Sequence, residues 1–511
     1  MPSSKKGKDS SRKTTRTDRA AEIANTFEWL ITAFILAFLF RAFVMEAFRI
    51  PTGSMADTLK GAHFRLRCRQ CGYEYDYGFV PEKYGFARDH IPRAPIRECW
   101  SRCPSCGFYQ RTGGTMPVAN GDRILVLKCI YQFFEPKQWD VLVFKDPLDP
   151  SINYIKRLVG RPGEKVEIID GDVYINDRIS RKPPKVQNRL WMPVYNNDFQ
   201  PVLPMENSFN KHPWQQPFGD TPGSKWEIDS SDPTRFCLDT VGDQTHSMVY
   251  GTSIGNDFRV TYAYDDVRQY KGMPYCSDLM ASFYVRSGDS NGKIGIGLSK
   301  YGIEYQGYVD LSGEMVIAKS ANGRQSILRS KPAGPLEGDR PVLVRFANID
   351  HQLILTLGQD RLTYDMGTGP DDAGERKTDI EPQVEVFGAG KLTLSHVAIF
   401  RDIHYTREKY ANSKETGRAT EGKPFSLGAD EFFMLGDNSP NSEDSRWWPS
   451  AGKGNNGVTY RSGIVPRDYL VGKALFVYWP SGFKPFAKFP FGIIPNVGKM
   501  RFTYGGSGDA P

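Results

Sequence analysis

Three groups of residues in this 511-residue chain have the types and spacing that chemistry requires. The first is Phe48-Arg-Ile-Pro-Thr-Gly-Ser-Met-Ala-Asp-Thr-Leu59, where a hydroxyl residue, a glycine and Ser-Met stand directly behind a long apolar run. Gly53 lets the backbone approach closely and leaves the Ser54 hydroxyl and N–H accessible. A plain polar loop is the alternative. The second group lies on strands. Asp140-Val-Leu-Val-Phe-Lys145 is followed by Asn153-Tyr-Ile-Lys-Arg-Leu-Val-Gly-Arg-Pro-Gly-Glu-Lys165, which sets Lys156 among Ile155, Leu158 and Val159. Far downstream, Gly436-Asp-Asn-Ser-Pro-Asn-Ser-Glu-Asp-Ser-Arg446 is a turn-rich polar loop carrying Ser442, Asp444 and Arg446. The third group is Cys68-Arg-Gln-Cys71 with Cys103-Pro-Ser-Cys106, each pair followed by Gly-aromatic (Gly72-Tyr73, Gly107-Phe108). Paired CxxC knuckles present four thiolates to a tetrahedral Zn²⁺. In an oxidising compartment, disulfides or free thiols stay open as alternatives.

The elements that must position these groups follow from composition and pattern. At 39% hydrophobic and 13% aromatic the chain can bury real cores, and 50 Gly with 35 Pro point to many turns and β-rich architecture. Ile23 to Met45 is apolar except for Glu28 and Arg41 near its ends, and predicts a transmembrane helix over 23–46. Arg41 stands where a cleavable signal peptide needs small residues; a signal peptide and a buried core helix are the competing readings. Residues 1–22 hold seven Lys/Arg against Asp9, Asp18 and Glu22, which favours a cytoplasmic tail. The chain's net charge is +7, and the part outside that tail is too little for a nucleic-acid partner. Gly121-Asp-Arg-Ile-Leu-Val126 reads as turn then strand. Between 190 and 425, alternating runs recur: Phe258–Tyr264, Ser282–Arg286, Val342–Phe346, Gln352–Leu357 and Lys391–Ile399. They predict an antiparallel sandwich.

In this order the Ser54, Gly121, Lys156 and Gly436 segments resemble bacterial type I signal peptidase (leader peptidase), the membrane-bound Ser–Lys protease family. The resemblance covers 23–61, 119–189 and 426–480. It implies a mainly β fold: an all-β catalytic domain after one N-terminal transmembrane helix, on the outer (periplasmic) face of the bacterial cytoplasmic membrane. It also implies cleavage of signal peptides from exported preproteins after Ala-x-Ala-like sites. By position, Ser54 matches the nucleophile and Lys156 the general base. Thr52 matches the hydroxyl that shares the oxyanion hole with the Ser54 N–H, and Ser442 the serine bonded to the lysine amine. Asp444 and Arg446 match a structural ion pair, and Arg157 follows the lysine as in the family. Asp57 stands where the family usually has Pro, and Ser439 where it has a basic residue; both positions are expected to shape the substrate groove. The cysteine segment resembles a zinc ribbon, with structural zinc on Cys68, Cys71, Cys103 and Cys106. The alternating runs resemble a laminin-G or concanavalin-like jelly roll, with a glycan or protein ligand possible in kind.

The chemistry stands apart from the family name. A serine hydroxyl needs a neighbour to remove its proton, and a free lysine, with a pKa near 10.4, is too fully protonated to do so. Burial beside apolar side chains disfavours the cation and lowers that pKa by up to about 3–5 units.

The chain thus divides into a basic tail (1–22), a membrane helix (23–46), catalytic segments at 47–61, 119–189 and 426–480, a zinc ribbon (62–118), a β-sandwich (190–425) and a C-terminal tail (481–511). A rival reading is a non-catalytic, envelope-anchored binding protein that uses the sandwich. Cys99 reads as a spare thiol, Cys129 as a small buried hydrophobe in the strand after Gly121, and Cys237 with Cys276 as a possible disulfide pair. Gly251-Thr-Ser-Ile-Gly255 matches the GxSxG elbow, but a strand is expected after it where the elbow needs a helix, so it reads as a loop. The stretch Phe483–Phe491 reads as a lipid-touching segment, or else as a solvated tail or sheet edge.

Overall fold

The computed structural model describes residues 17–87, 96–97, 100–111, 115–201, 213–228, 232–265, 272–288, 291–321, 324–336, 340–409, 415–449, 451–453, 457, 459–482 and 495–506. Cys99, the basic residues of the tail before 17 and the stretch 483–491 lie outside them.

The apolar run is helical. An α-helix, Thr17–Leu39, passes into a π-helical turn, Phe40–Val44, and Ala21–Val44 is long and apolar enough to cross a membrane. Its side chains, Trp29, Phe34 and Phe38 among them, meet no protein core. Met45 and Glu46, expected as the end of this helix, already belong to a strand, because Met45–Arg49 pairs antiparallel with Arg123–Leu127.

The Ser54 and Lys156 segments meet through one eight-stranded sheet. Its order is Met45–Arg49, Arg123–Leu127, Leu470–Trp479, Val141–Lys145, Asn153–Gly160, Glu431–Leu435 and Val465–Pro466, with Arg501–Phe502 added beside Leu470–Trp479. Side chains alternate across a strand, and here both faces are covered. Val141 and Val143 pack with Ile50, Met55 and Leu59, while Leu142 and Phe144 pack with Leu158, Met434 and Trp448. Coverage on both faces is why Val141–Phe144 is a continuous apolar run rather than an alternating one. A four-stranded sheet (Arg178–Ile179, Asp172–Ile175, Lys165–Ile169, Phe425–Ser426) lies beside it. Its core joins Val166 and Ile168 to Phe433 and Leu435, and also takes in Ile403, Tyr405 and Ala419.

The insertion is a sandwich of two seven-stranded sheets. One contains Met192–Asn196, Lys391–Arg401, Leu279–Ser287, Val342–Ile349, Gln352–Leu357 and Asp360–Asp365, with Arg235–Asp239 on Lys391–Arg401. The other runs Phe218–Asp220, His246–Tyr250, Val384–Ala389, Lys293–Lys300, Ile303–Asp310, Glu314–Ala321, Arg324–Pro332. Phe283, Val344, Phe346 and Leu355 of the first face Ile294, Ile296, Met315 and Val386 of the second across one core. The first and last strands are antiparallel neighbours, Met192 opposite Arg401, so the sandwich leaves and rejoins the peptidase-like frame at one place.

A buried polar seam fastens the two parts. Asp172 of the four-stranded sheet and Asp278, Asp350 and Asp402 of the sandwich bring carboxylate oxygens within 4.8 Å of one another. Lys182 Nζ lies 2.5 Å from Asp350 Oδ1 and 2.9 Å from Asp402 Oδ2, and Lys300 pairs with Asp278. Four carboxylates face two ammonium groups. Burial pushes the Asp172 carboxyl well above the usual range and Asp402 up to about 6.

Three expectations are corrected. Phe258–Tyr264 joins no sheet: an isolated bridge, Arg259 opposite Tyr275, and backbone bonds such as Val260 N–H to Pro274 O (3.0 Å) hold its first half, and the chain then turns, Asp265 N–H donating to Tyr262 O (3.0 Å). Cys237 and Cys276 form no disulfide: Cys237 Sγ faces Thr393 Oγ1 at 4.0 Å, and Cys276 Sγ lies 3.6 Å from the carbonyls of Asp278 and Asp402. Cys129 is half-exposed at the start of the short helix Ile130–Phe133, because the strand ends at Leu127. Gly251–Gly255 is a hydrogen-bonded turn, Gly255 N–H to Gly251 O at 2.9 Å.

Candidate active site

Ser54 sits in the turn that follows Met45–Arg49. The Ile50 N–H donates to Asp122 O (2.8 Å), Ala56 N–H to Gly53 O (3.0 Å) and Leu59 N–H to Met55 O (2.7 Å). Met55, Ala56 and Leu59 are fully buried and anchor the turn. Gly121 is required behind it, since a Cβ there would lie 1.9 Å from Ile50 O.

Lys156 comes from the middle of Asn153–Gly160, opposite Leu142. Its Nζ donates to Ser54 Oγ at 2.8 Å and to Ile155 O at 3.1 Å, and lies 5.3 Å from the Tyr154 ring centroid. Ser54 is 8% exposed and Lys156 4%. Two residues 102 positions apart are thereby brought into contact. Thr52, half-buried, enters the same turn, its carbonyl oxygen packed where a Cβ on Gly61 would be 2.4 Å away.

The other sequence-derived residues surround this pair. Arg157, on the opposite face of the strand from Lys156, makes a bidentate pair with Asp437 (2.7 and 2.6 Å) and donates to Trp139 O (2.8 Å). Arg446 Nη2 and Asp444 Oδ2 are 2.7 Å apart, both fully buried, and Asp444 also accepts from Gly436 N–H (3.0 Å). A buried charge needs such a partner. Ser442 is adjacent: a Cβ on Gly436 would meet Ser442 Oγ at 2.1 Å and Ser54 O at 2.5 Å. Yet Ser442 Oγ has no hydrogen-bond partner among the described residues, so the expected bond to the lysine amine is absent. Ser439 does not line a groove either. It is buried, its Oγ accepting from Arg446 Nη1 (2.8 Å) and from Thr406 N–H (2.8 Å). Asp57 is partly exposed and 3.7 Å from Lys60.

Asp437, Asn438, Asn441, Tyr262, Tyr264 and Asp265 were not singled out by sequence reasoning. Asn438 N–H donates to Ser54 O (3.1 Å), and its Nδ2 to Gly53 O (3.2 Å). The Gly436–Arg446 loop was the available signal for Asp437, Asn438 and Asn441. Nothing local signals the others.

The four cysteines converge from two knuckles of the same geometry. Cys68 N–H bonds Tyr73 O and Cys103 N–H bonds Phe108 O, both at 2.9 Å, with Gly72 and Gly107 at φ 76° and 77°. Only glycine takes that conformation without strain. Cys68 to Cys106 and Cys71 to Cys103 are 3.6 Å between sulfurs. A tetrahedron with metal–sulfur bonds of about 2.3 Å has edges of about 3.8 Å, whereas a disulfide needs about 2.05 Å. The donor set therefore fits a tetrahedral metal and not a pair of disulfides. Asn256 of the insertion braces the second knuckle, donating to Cys103 O at 3.2 Å.

Residues 106–206 and 383–479 match the family described as signal peptidase, peptidase S26. Ser54 lies before the matched segments and Lys156 within them. The chain is similar to signal peptidase I of Rickettsia canadensis (strain McKiel) and of Rickettsia akari (strain Hartford), 33% identical to each over 153 residues. That match spans 30% of this chain and 43% of the length of each relative. Among solved structures it is similar to the carbohydrate binding module CBM66 from Bacillus subtilis: 10% identity, TM-score 0.24, 37% of this chain and 99% of that one. It is also similar to Caenorhabditis elegans galectin LEC-6: 8% identity, TM-score 0.19, 25% and 87% covered. The signal peptidase, peptidase S26 match is thus carried by two segments of this chain, with an insertion between them.

Proposed function

We propose that this protein is a membrane-anchored serine endopeptidase that removes signal peptides from exported preproteins after small-x-small sites. The observation that carries the reading is the 2.8 Å contact between Ser54 Oγ and Lys156 Nζ. It joins two buried residues in a chain that matches the signal peptidase family over two segments.

The neutral Lys156 amine takes the Ser54 proton as Oγ attacks the scissile carbonyl. Charge develops on the carbonyl oxygen, where the Ser54 N–H and the Thr52 hydroxyl stabilise it; one such donor is worth roughly 2.7–4 kcal/mol elsewhere. The lysine ammonium then protonates the departing amine, leaving an ester on Ser54. Water, deprotonated by the same lysine, hydrolyses it. Arg157–Asp437 ties the strand of Lys156 to the Gly436–Arg446 loop, and Asp444–Arg446 braces that loop, whose Asn438 N–H holds Ser54 O.

The helix Ala21–Val44 supports an anchor in the cytoplasmic membrane, with the tail inside and the catalytic domain on the outer face. Substrates are then preprotein signal peptides presented at the lipid surface. Cys68, Cys71, Cys103 and Cys106 would hold a structural Zn²⁺, which supplies cross-linking of the two knuckles and no step of the reaction. Metal analysis is expected to find about one zinc per chain; metal-free protein would refute the zinc assignment.

The test is cleavage of a preprotein bearing an Ala-x-Ala site by detergent-solubilised full-length protein, beside Ser54→Ala. Cleavage at the site by the unaltered protein alone is expected. Equal cleavage by both, or none by either while folded, would overturn the reading.

A further inference from the structure

The insertion reaches into the active site. Its segment 258–265 turns Phe258, Val260, Tyr262 and Tyr264 inward, and Ala56 of the nucleophile turn packs in one cluster with Val260, Tyr262, Tyr264, Met273 and Cys276. The Tyr264 ring packs directly against Gly53, where a Cβ would be 2.3 Å from Tyr264 Cε1. Its hydroxyl donates to Ala62 O (3.1 Å) and its carbonyl accepts from Gly78 N–H (2.7 Å). Tyr262 donates to Asp437 O at 3.1 Å.

Asp265 closes this wall. It is 5% exposed, and its Oδ1 accepts from Asn438 Nδ2 and from Asn441 Nδ2, both at 3.0 Å. Asn438 is the residue that holds the carbonyls of Gly53 and Ser54. Those two carbonyls set the planes of the flanking peptides, and hence where the Ser54 N–H and Oγ point.

We propose that Asp265, from the sandwich insertion, is a positioning residue of the peptidase: it orients Asn438, which fixes the nucleophile turn. The peptidase site is then incomplete without the inserted domain. This inference rests on the Ser–Lys reading above. An amide side chain with its oxygen in the place of Oδ1 still accepts both hydrogen bonds, whereas alanine accepts neither. Displacing reacting groups by about 1 Å can cost about 100-fold in rate.

The experiment measures kcat and KM for an Ala-x-Ala preprotein with the full-length protein, Ser54→Ala, Asp265→Ala and Asp265→Asn, with thermal unfolding of each. Asp265→Ala is expected to lower kcat by about 10–100-fold with KM within about twofold, and Asp265→Asn to restore kcat to within about threefold of the unaltered protein. An Asp265→Ala protein with unchanged kcat would overturn the inference. So would an Asp265→Asn protein that stays folded with kcat lowered about tenfold or more, which also decides the matter if the alanine variant does not fold. If the unaltered protein itself is inert, it is the Ser–Lys reading that fails.

Discussion

Two lysines in this protein bury their side chains and are surrounded in opposite ways. Lys156 is met by a serine hydroxyl, a carbonyl oxygen and the face of Tyr154. Lys182 lies between the carboxylates of Asp350 and Asp402, with its Nζ also 5.6 Å from the Trp139 ring centroid. Burial alone would disfavour the charge on either amine. At Lys182 burial pulls the pKa down, but Asp350, Asp402 and Asp172 outweigh it and hold the pKa well above the usual value. That ammonium stays charged and serves as a fastener between sheet and sandwich. Burial depth therefore does not decide what a lysine does; the groups aimed at its nitrogen do.

Substitutions sharpen this contrast. Lys156→Met keeps apolar bulk and removes the proposed base. It is expected to lower preprotein cleavage by on the order of 10⁴-fold or more while the unfolding midpoint is kept; a rate near that of the unaltered protein would break the comparison. Lys182→Met leaves Asp350 and Asp402 buried without their cation and is expected to destabilise the fold by about 3–5 kcal/mol in denaturant titration. Cleavage per folded molecule should stay within a few-fold.

A third prediction concerns pH. Burial pushes the Asp265 carboxyl up to about 7, the amides of Asn438 and Asn441 pulling it partly back, while Asp57 raises it and Lys83 lowers it. With an unfolded value of about 3.9, the native state binds more protons across this window. Stability then falls as pH rises from about 4 to about 7. Asp265→Asn should match the unaltered protein in urea at pH near 4 and exceed it near 8; identical curves at both would contradict the assignment. The smallest effect is expected at Ser442. Its Oγ makes no hydrogen bond among the described residues, so Ser442→Ala should cost less than about tenfold in kcat, under 1.4 kcal/mol. A loss near that of Lys156→Met would place Ser442 on the lysine after all.

Much of the site could be read in the sequence because it is encoded locally. Ser54 with Gly53, Lys156 on an apolar strand and Asp444 with Arg446 each sit within a few residues of their cues. The cysteine knuckles are likewise self-contained, since CxxC-Gly-aromatic fixes its own turn. What escaped depends on tertiary contact. The alternation in Phe258–Tyr264 correctly marks Phe258, Val260, Tyr262 and Tyr264 as inward. Period-2 burial shows which side chains face a core but not whether a neighbouring strand pairs with the segment. Here the core is partly the back of the Ser54 turn. The Cys237–Cys276 pairing failed for the same reason: proximity across a fold is not written in spacing.

The account turns on Ser54 being activated by Lys156. The most direct measurement is intact-mass and peptide analysis after exposure of the solubilised protein to a serine-directed fluorophosphonate, beside Lys156→Met. One adduct on the Ser54 peptide, lost in Lys156→Met, is the expected result. No adduct, an adduct on another serine, or equal labelling of both proteins would contradict it.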